Sequence, residues 1–151
     1  MKKIEKLYVT WNGLVPTLAS AVKEWIPPKL KSEISYRNSL LEEIRKAVPG
    51  DTRVEKEFRH RGTTIDIWLN WKGLIGSDEL AFELKLNLKR KADFDRLVGQ
   101  IEGLDPRKNK IIVILIGETE KSLLDRLTEK YREQVNSDPP TMAIVNITPQ
   151  D

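Results

Sequence analysis

The chain predicts an α/β domain built on a mixed central sheet flanked by helices, and three observations predict it. Element signals follow the order helix, three strands, helix, strand, helix, strand. The first three strand signals are separated only by short turns, as in antiparallel hairpins, whereas the later ones alternate with helices, as in parallel pairing. The run Ile111-Ile112-Val113-Ile114-Leu115-Ile116 is apolar without interruption, the pattern of a strand buried on both faces inside a sheet. With 151 residues, 39% of them hydrophobic, there is material for one core and not for two full domains.

Residues 1–31 read as an amino-terminal extension: a short apolar run at Leu7-Tyr8-Val9, then an amphipathic stretch carrying Val15, Leu18, Val22 and Trp25, closed by Pro27-Pro28. It is expected to pack on the core or on a second copy in a homodimer. The main domain spans 32–151. Ser32 is a helix cap for residues 33–48, where Leu40, Leu41, Ile44, Ala47 and Val48 recur at helical spacing and Pro49-Gly50 forms the stop. Strands are expected over 53–59, 63–71 and 79–88, broken by Arg61-Gly62 and by the turn from Lys72-Gly73 to Ser77-Asp78. A helix over 92–104 carries Phe94, Leu97, Val98 and Ile101 on one side. The buried strand at 110–117, a charged helix over 118–135 and a last strand at 142–147 complete the order.

Composition excludes several chemistries. Zero cysteines rule out disulfides, thiolate zinc sites and cysteine nucleophiles, and the single His60 cannot furnish a multi-histidine centre. Any metal must be held by oxygen. The net charge of +3 is only mildly basic, and a solvated surface gives it as readily as a nucleic-acid binder does. No signal-peptide stretch follows the basic start and no run approaches membrane-spanning length, so a cytoplasmic protein without membrane contact is expected.

The chemistry concentrates on two strands. In an extended segment successive side chains point to opposite faces, so Leu80, Phe82, Leu84, Leu86 and Leu88 share one face and Ala81, Glu83, Lys85 and Asn87 the other. In the preceding strand Ile65, Ile67 and Leu69 share the apolar face, leaving Thr64, Asp66 and Trp68 opposite. If the strands are neighbours, Asp66, Glu83 and Lys85 converge. Two carboxylates suit a hard divalent cation that takes oxygen ligands and keeps several waters, and an ammonium beside them can orient water or steady developing negative charge. An acid-any-lysine tripeptide arises roughly twice by chance in such a composition, and a Glu and Lys on one strand face are often plain surface charge. Glu83-Leu84-Lys85 occurs once, in a strand with an apolar reverse face, after an aspartate in the hairpin partner.

With this element order, Asp66 in the second strand and Glu83-Leu84-Lys85 in the third, the stretch from Ser32 to Ile147 resembles the PD-(D/E)xK nuclease superfamily. The resemblance implies a restriction-endonuclease-like three-layer core, and Mg²⁺ or Mn²⁺ held by Asp66, Glu83 and the Leu84 carbonyl. It implies that Lys85 is the catalytic lysine. Ile65 stands where the family's proline precedes the aspartate. Relatives that carry a glutamate in the first helix point to Glu33, which falls on the face of Leu40, Ile44 and Ala47; a first-turn acid favoured by the helix dipole is the alternative. Gln100 resembles the glutamine some branches place after the lysine strand, or is an ordinary polar helix residue. The tyrosine expected four residues later is Leu104.

Arg59, His60 and Arg61, with Lys89, Arg90 and Lys91, form basic groups able to contact phosphates, or scattered surface charge. Trp68 and Trp71 are candidates for base stacking, though Trp68 is better explained as a partly covered strand residue. The resemblance implies a metal-dependent endo- or exodeoxyribonuclease of repair, recombination or restriction type. The alternatives are a catalytically silent nucleic-acid-binding or scaffolding relative, and an unrelated interaction module.

Overall fold

The structure is a computed structural model that describes residues 1–60 and 62–151; Arg61 lies outside them. Among the described residues the helices are α1 (Lys6–Asn12), α2 (Leu14–Lys23), α3 (Glu33–Ala47), α4 (Lys91–Gly103), α5 (Lys121–Lys130) and α6 (Arg132–Val135). The strands are β1 (Arg53–His60), β2 (Thr63–Lys72), β3 (Ser77–Leu86), β4 (Lys110–Ile116) and β5 (Met142–Ile147). The five strands form one open sheet in the order β1-β2-β3-β4-β5. The β1-β2 and β2-β3 pairs are antiparallel and the β3-β4 and β4-β5 pairs parallel, as short turns and intervening helices respectively require. The fold is α/β with a mixed sheet.

The strand at 110–116 divides its side chains between two cores, which explains its unbroken apolar sequence. Ile112, Ile114 and Ile116 pack with α1, α2 and α3 together with Ile67, Leu69, Phe82 and Leu84, while Ile111, Val113 and Leu115 pack with α4 and α5. Helices therefore cover the sheet on both sides. Residues Val9, Leu14, Val15, Leu18 and Val22 of α1 and α2 belong to the first of these cores, so the amino-terminal segment is built into it. Ser32 caps α3 by accepting from the Ser35 N–H at 3.1 Å, and Tyr36, Leu40, Leu41 and Ile44 line its buried face.

Three expectations are corrected by tertiary structure. The third strand ends at Leu86, not Leu88: Asn87 takes a left-handed φ of 52°, and its Oδ1 accepts from the Glu118 N–H. That reversal carries Leu88 to the α4 side of the sheet, away from Leu80 and Leu84. Ile65 likewise packs with Trp68 on the α4 side, apart from Ile67 and Leu69. The regular alternation of β2 breaks at Asp66, where its pairing with β3 has stopped at Ile67↔Phe82. The helix expected over 118–135 begins later, capped by Glu120, and is divided at Tyr131.

Candidate active site

The site lies where β2 and β3 part company. Beyond Ile67↔Phe82 the two strands no longer pair, so the N–H groups of Leu84 and Leu86 lack a strand to receive them. Two carboxylates take that place. Asp66 Oδ2 accepts from the Leu84 N–H at 2.9 Å, and Glu33 Oε1, brought in by the first turn of α3, accepts from the Leu86 N–H at 2.9 Å. Glu33 is the first-turn acid of α3, and its carboxylate reaches the lysine strand. The contact Leu84 makes is through its N–H, donated to Asp66.

Between them sits Glu83, 0% exposed, with neither carboxylate oxygen engaged in a hydrogen bond. Desolvation, reinforced by the nearby charges of Asp66 and Glu33, pushes its pKa from 4.5 to about 9. Asp66 acts on it in both directions: its carboxylate raises the value and its main-chain N–H lowers it. Burial also raises the pKa of Asp66 and of Glu33, opposed in each case by the backbone N–H they accept and by the charge of Lys85. Three acids therefore share one poorly solvated place, and each resists ionisation.

Lys85, two residues beyond Glu83 on the same face of β3, turns its ammonium to Asp93 Oδ1 at 3.8 Å. Asp93 is itself buried at the start of α4 and also receives Arg90 Nε at 3.1 Å and Arg96 Nη1 at 3.4 Å. The Arg90 hydrogen bond and the surrounding cations hold its carboxyl below the usual range. On α3, Arg37 lies one turn after Glu33, buried, and its charge reaches Asp66. Neither Asp93 nor Arg37 was singled out from the sequence. The available signal was a charged residue at a core-facing position: Asp93 precedes Leu97 and Ile101, and Arg37 precedes Leu40, Leu41 and Ile44, at helical spacing.

Of the other candidates only Arg90 reaches this cluster, through Asp93. Gln100 is half-buried in α4, and its side chain makes no hydrogen bond among the described residues. Arg59 is exposed and His60 half-buried at the end of β1, while Arg61 lies outside the described residues. Lys89 pairs with Glu118, Arg90 with Asp93 and Lys91 with Asp95. Trp68 is covered, stacked on Phe58 with ring centroids 4.2 Å apart, and Trp71 is buried in the core, so neither ring presents a free face to a base.

No family profile, curated protein or solved structure matches this chain. What the site can do therefore rests on its geometry. Among the described residues no three acidic or histidine side chains are gathered into a ready metal cage. A magnesium-type ion needs less: one or two carboxylates, with water and substrate oxygens completing its shell. Two unsatisfied Glu83 oxygens beside the Asp66 carboxylate fit that requirement, and the all-oxygen donor set fits a hard cation and not a soft one.

Proposed function

We propose that this chain is a divalent-metal-dependent nuclease of the PD-(D/E)xK, restriction-endonuclease-like kind, hydrolysing phosphodiester bonds of DNA. The observation that carries the reading is Glu83: a carboxylate withdrawn from water with both oxygens unpartnered, at a site already holding Asp66 and Glu33. A buried polar group left unpaired costs on the order of 1–3 kcal/mol, and a cation would recover it. The mixed sheet with helices on both faces, and Asp66 and Glu83-Leu84-Lys85 on adjacent strands, agree with that fold.

Asp66 and Glu83 would hold Mg²⁺ or Mn²⁺, with the Leu84 carbonyl as a further oxygen donor. When bound, the cation supplies polarisation of the phosphodiester and a more acidic water. The side chains do the rest. Glu83 holds its proton at neutral pH without an ion, and would give it up to solvent on becoming a ligand. Asp66 and Glu33, tied to the Leu84 and Leu86 N–H groups, fix the splayed strand end, so the acids cannot drift apart. Lys85, released from Asp93 by an incoming phosphate, orients the attacking water and steadies the charge that gathers on the phosphate oxygens.

The test is a Mn²⁺-dependent cleavage assay on linear, nicked, flapped, branched and single-stranded DNA, with Lys85→Ala and Asp66→Ala as controls. Cleavage that vanishes in both variants while their circular dichroism is unchanged is the expected outcome. A second reading, a silent nucleic-acid-binding or scaffolding protein, draws on one observation: Lys85 is engaged by Asp93. Binding of DNA without cleavage under every divalent ion tried favours it.

A further inference from the structure

Arg37 is a charged side chain that α3 takes out of water for no reason of packing alone. The residue is 8% exposed; Nη1 donates to Glu57 Oε1 at 3.0 Å, Nη2 donates to Asn38 Oδ1 at 3.2 Å, and Nε is buried with no partner. An unfilled donor on a buried guanidinium is costly, and an aliphatic residue would fill the same volume without that cost. Its main partner is equally unusual. Glu57 stands within β1 with a left-handed φ of 52°, a strained conformation for a non-glycine residue. Its side chain is 61% exposed. The register that pairs Lys56 with Ile67 and Phe58 with Ile65 sets Glu57 across from Asp66. An exposed carboxylate on strained backbone thus reaches a buried guanidinium beside the acids.

A carboxylate offers a guanidinium the same paired, negatively charged oxygens that a phosphate does. We propose that Arg37 binds a backbone phosphate of the nucleic-acid substrate, next to the one being cleaved, and that Glu57 occupies Arg37 until that phosphate displaces it. This rests on the nuclease reading. The exchange breaks no covalent bond. Glu57 swings into solvent, where most of its side chain already lies, and the substrate phosphate takes the Glu57 position at Nη1. Release of Glu57 also frees β1 opposite Asp66 to relax. Glu57 therefore acts as a built-in competitor that weak or badly placed anions fail to dislodge.

Binding is measured in the Lys85→Ala chain with Mn²⁺ present, by fluorescence anisotropy of a labelled DNA oligonucleotide across a salt series. Arg37→Gln is expected to weaken affinity about tenfold and to reduce the slope of log affinity against log salt by about one, the signature of one lost phosphate contact. Glu57→Gln is expected to tighten binding about threefold to tenfold, since it removes the competitor and keeps the guanidinium. Inorganic phosphate is the second probe, followed by its effect on melting temperature. Phosphate that stabilises the Glu57→Gln chain while oligonucleotide affinity is unchanged in both variants would make Arg37 a site for free phosphate and overturn the proposal. Unchanged affinity in Glu57→Gln also overturns it, and because that side chain is exposed this arm stands even if Arg37→Gln fails to fold. Should the unaltered chain cleave DNA while both variants bind like the parent, only this assignment falls; should it neither bind nor cleave, the nuclease reading falls with it.

Discussion

Glu83 and Asp93 are both taken out of water close to Lys85, and the fold treats them in opposite ways. Asp93, 7% exposed, is met by Lys85, Arg90 and Arg96, and its carboxyl is held below the ordinary range. Glu83 receives no cation and no hydrogen bond, and its neighbours Asp66 and Glu33 add negative charge to the penalty of burial. Structure alone accounts for the first: an acid at the start of a helix, neutralised by residues three positions away on either side, anchors α4 against the sheet. It does not account for the second. Perturbed groups of this kind gather at functional sites, which is the physical ground for proposing Glu83 as a ligand.

The largest expected difference between the two is in catalysis. Glu83→Gln keeps the shape of the side chain and removes the charge a cation needs, so Mn²⁺-dependent cleavage is expected to fall by about 10²–10³-fold or more, as when a single preorganised electrostatic group is lost. Asp93→Asn leaves the proposed metal ligands intact and loosens only the hold on Lys85; a fall of about tenfold is expected, recovered in part in Asp93→Glu. Equal losses in the two variants, measured as kcat at saturating metal, would erase the distinction between ligand and anchor.

Stability should separate them with opposite sign. The folded-state pKa of Glu83 is raised, to about 9 against 4.5, so the stability it contributes is present below pH 4.5 and is lost progressively as pH rises toward 9. Glu83→Gln is therefore expected to be more stable than the parent at pH 7, by on the order of 3–4 kcal/mol at about 1.4 kcal/mol for each pH unit above 4.5, with little difference at pH 4. Asp93 has a lowered folded pKa, so its contribution is present above its unfolded pKa near 3.8 and is lost as pH falls through the folded value. Asp93→Asn is expected to be destabilised at pH 7, with the deficit shrinking toward pH 3. Urea titrations of the three chains at several pH values check both statements. A site that binds better when it is less stable without its ligand is the usual form of a stability and activity trade-off.

Metal affinity carries the same contrast at smaller scale. If Glu83 is a ligand as proposed, a cation has to displace its proton, and the apparent Mn²⁺ affinity of the unaltered chain is expected to rise up to about tenfold per pH unit between pH 6 and 8. In Asp93→Asn that slope should persist, since the titrating group is still there; in Glu83→Gln it should flatten. Calorimetric titration at three pH values reads the slope directly.

The element order, the doubly buried β4 and the approach of Asp66 to the Glu83-Leu84-Lys85 strand were legible because each depends on local period and on neighbouring strands joined by a short turn. What escaped was non-local. That β2 leaves β3 after Ile67, turning Ile65 to the α4 side and opening the Leu84 and Leu86 N–H groups to carboxylates, depends on where pairing stops, and no periodicity in either strand encodes it. Asn87 is a similar case, since its reversal is secured by the distant Glu118 N–H. Arg37 and Asp93 each broke an apolar helical face, a visible signal whose meaning appears only once Glu57, Asp66 and Lys85 are placed against them.

The smallest effects belong to the basic residues around the site, and they test how far the contrast reaches. Lys91 is exposed and paired with Asp95 at 3.1 Å, one helix turn away. Surface pairs of this kind contribute about 0.3–0.5 kcal/mol, so Lys91→Ala is expected to leave the unfolding midpoint nearly unchanged. Its partner can be exchanged for a phosphate at little cost, unlike the three cations gathered on the buried Asp93. If the face beside α4 carries DNA, Lys91→Ala weakens oligonucleotide binding about twofold to threefold at low salt and has no effect at high salt, where screening removes the contribution. A chain in which Lys91→Ala changes stability but not binding would place the basic face of α4 with the structural acids instead of with the substrate, and would confine the DNA path to the β1 side, beside Arg37 and Glu57.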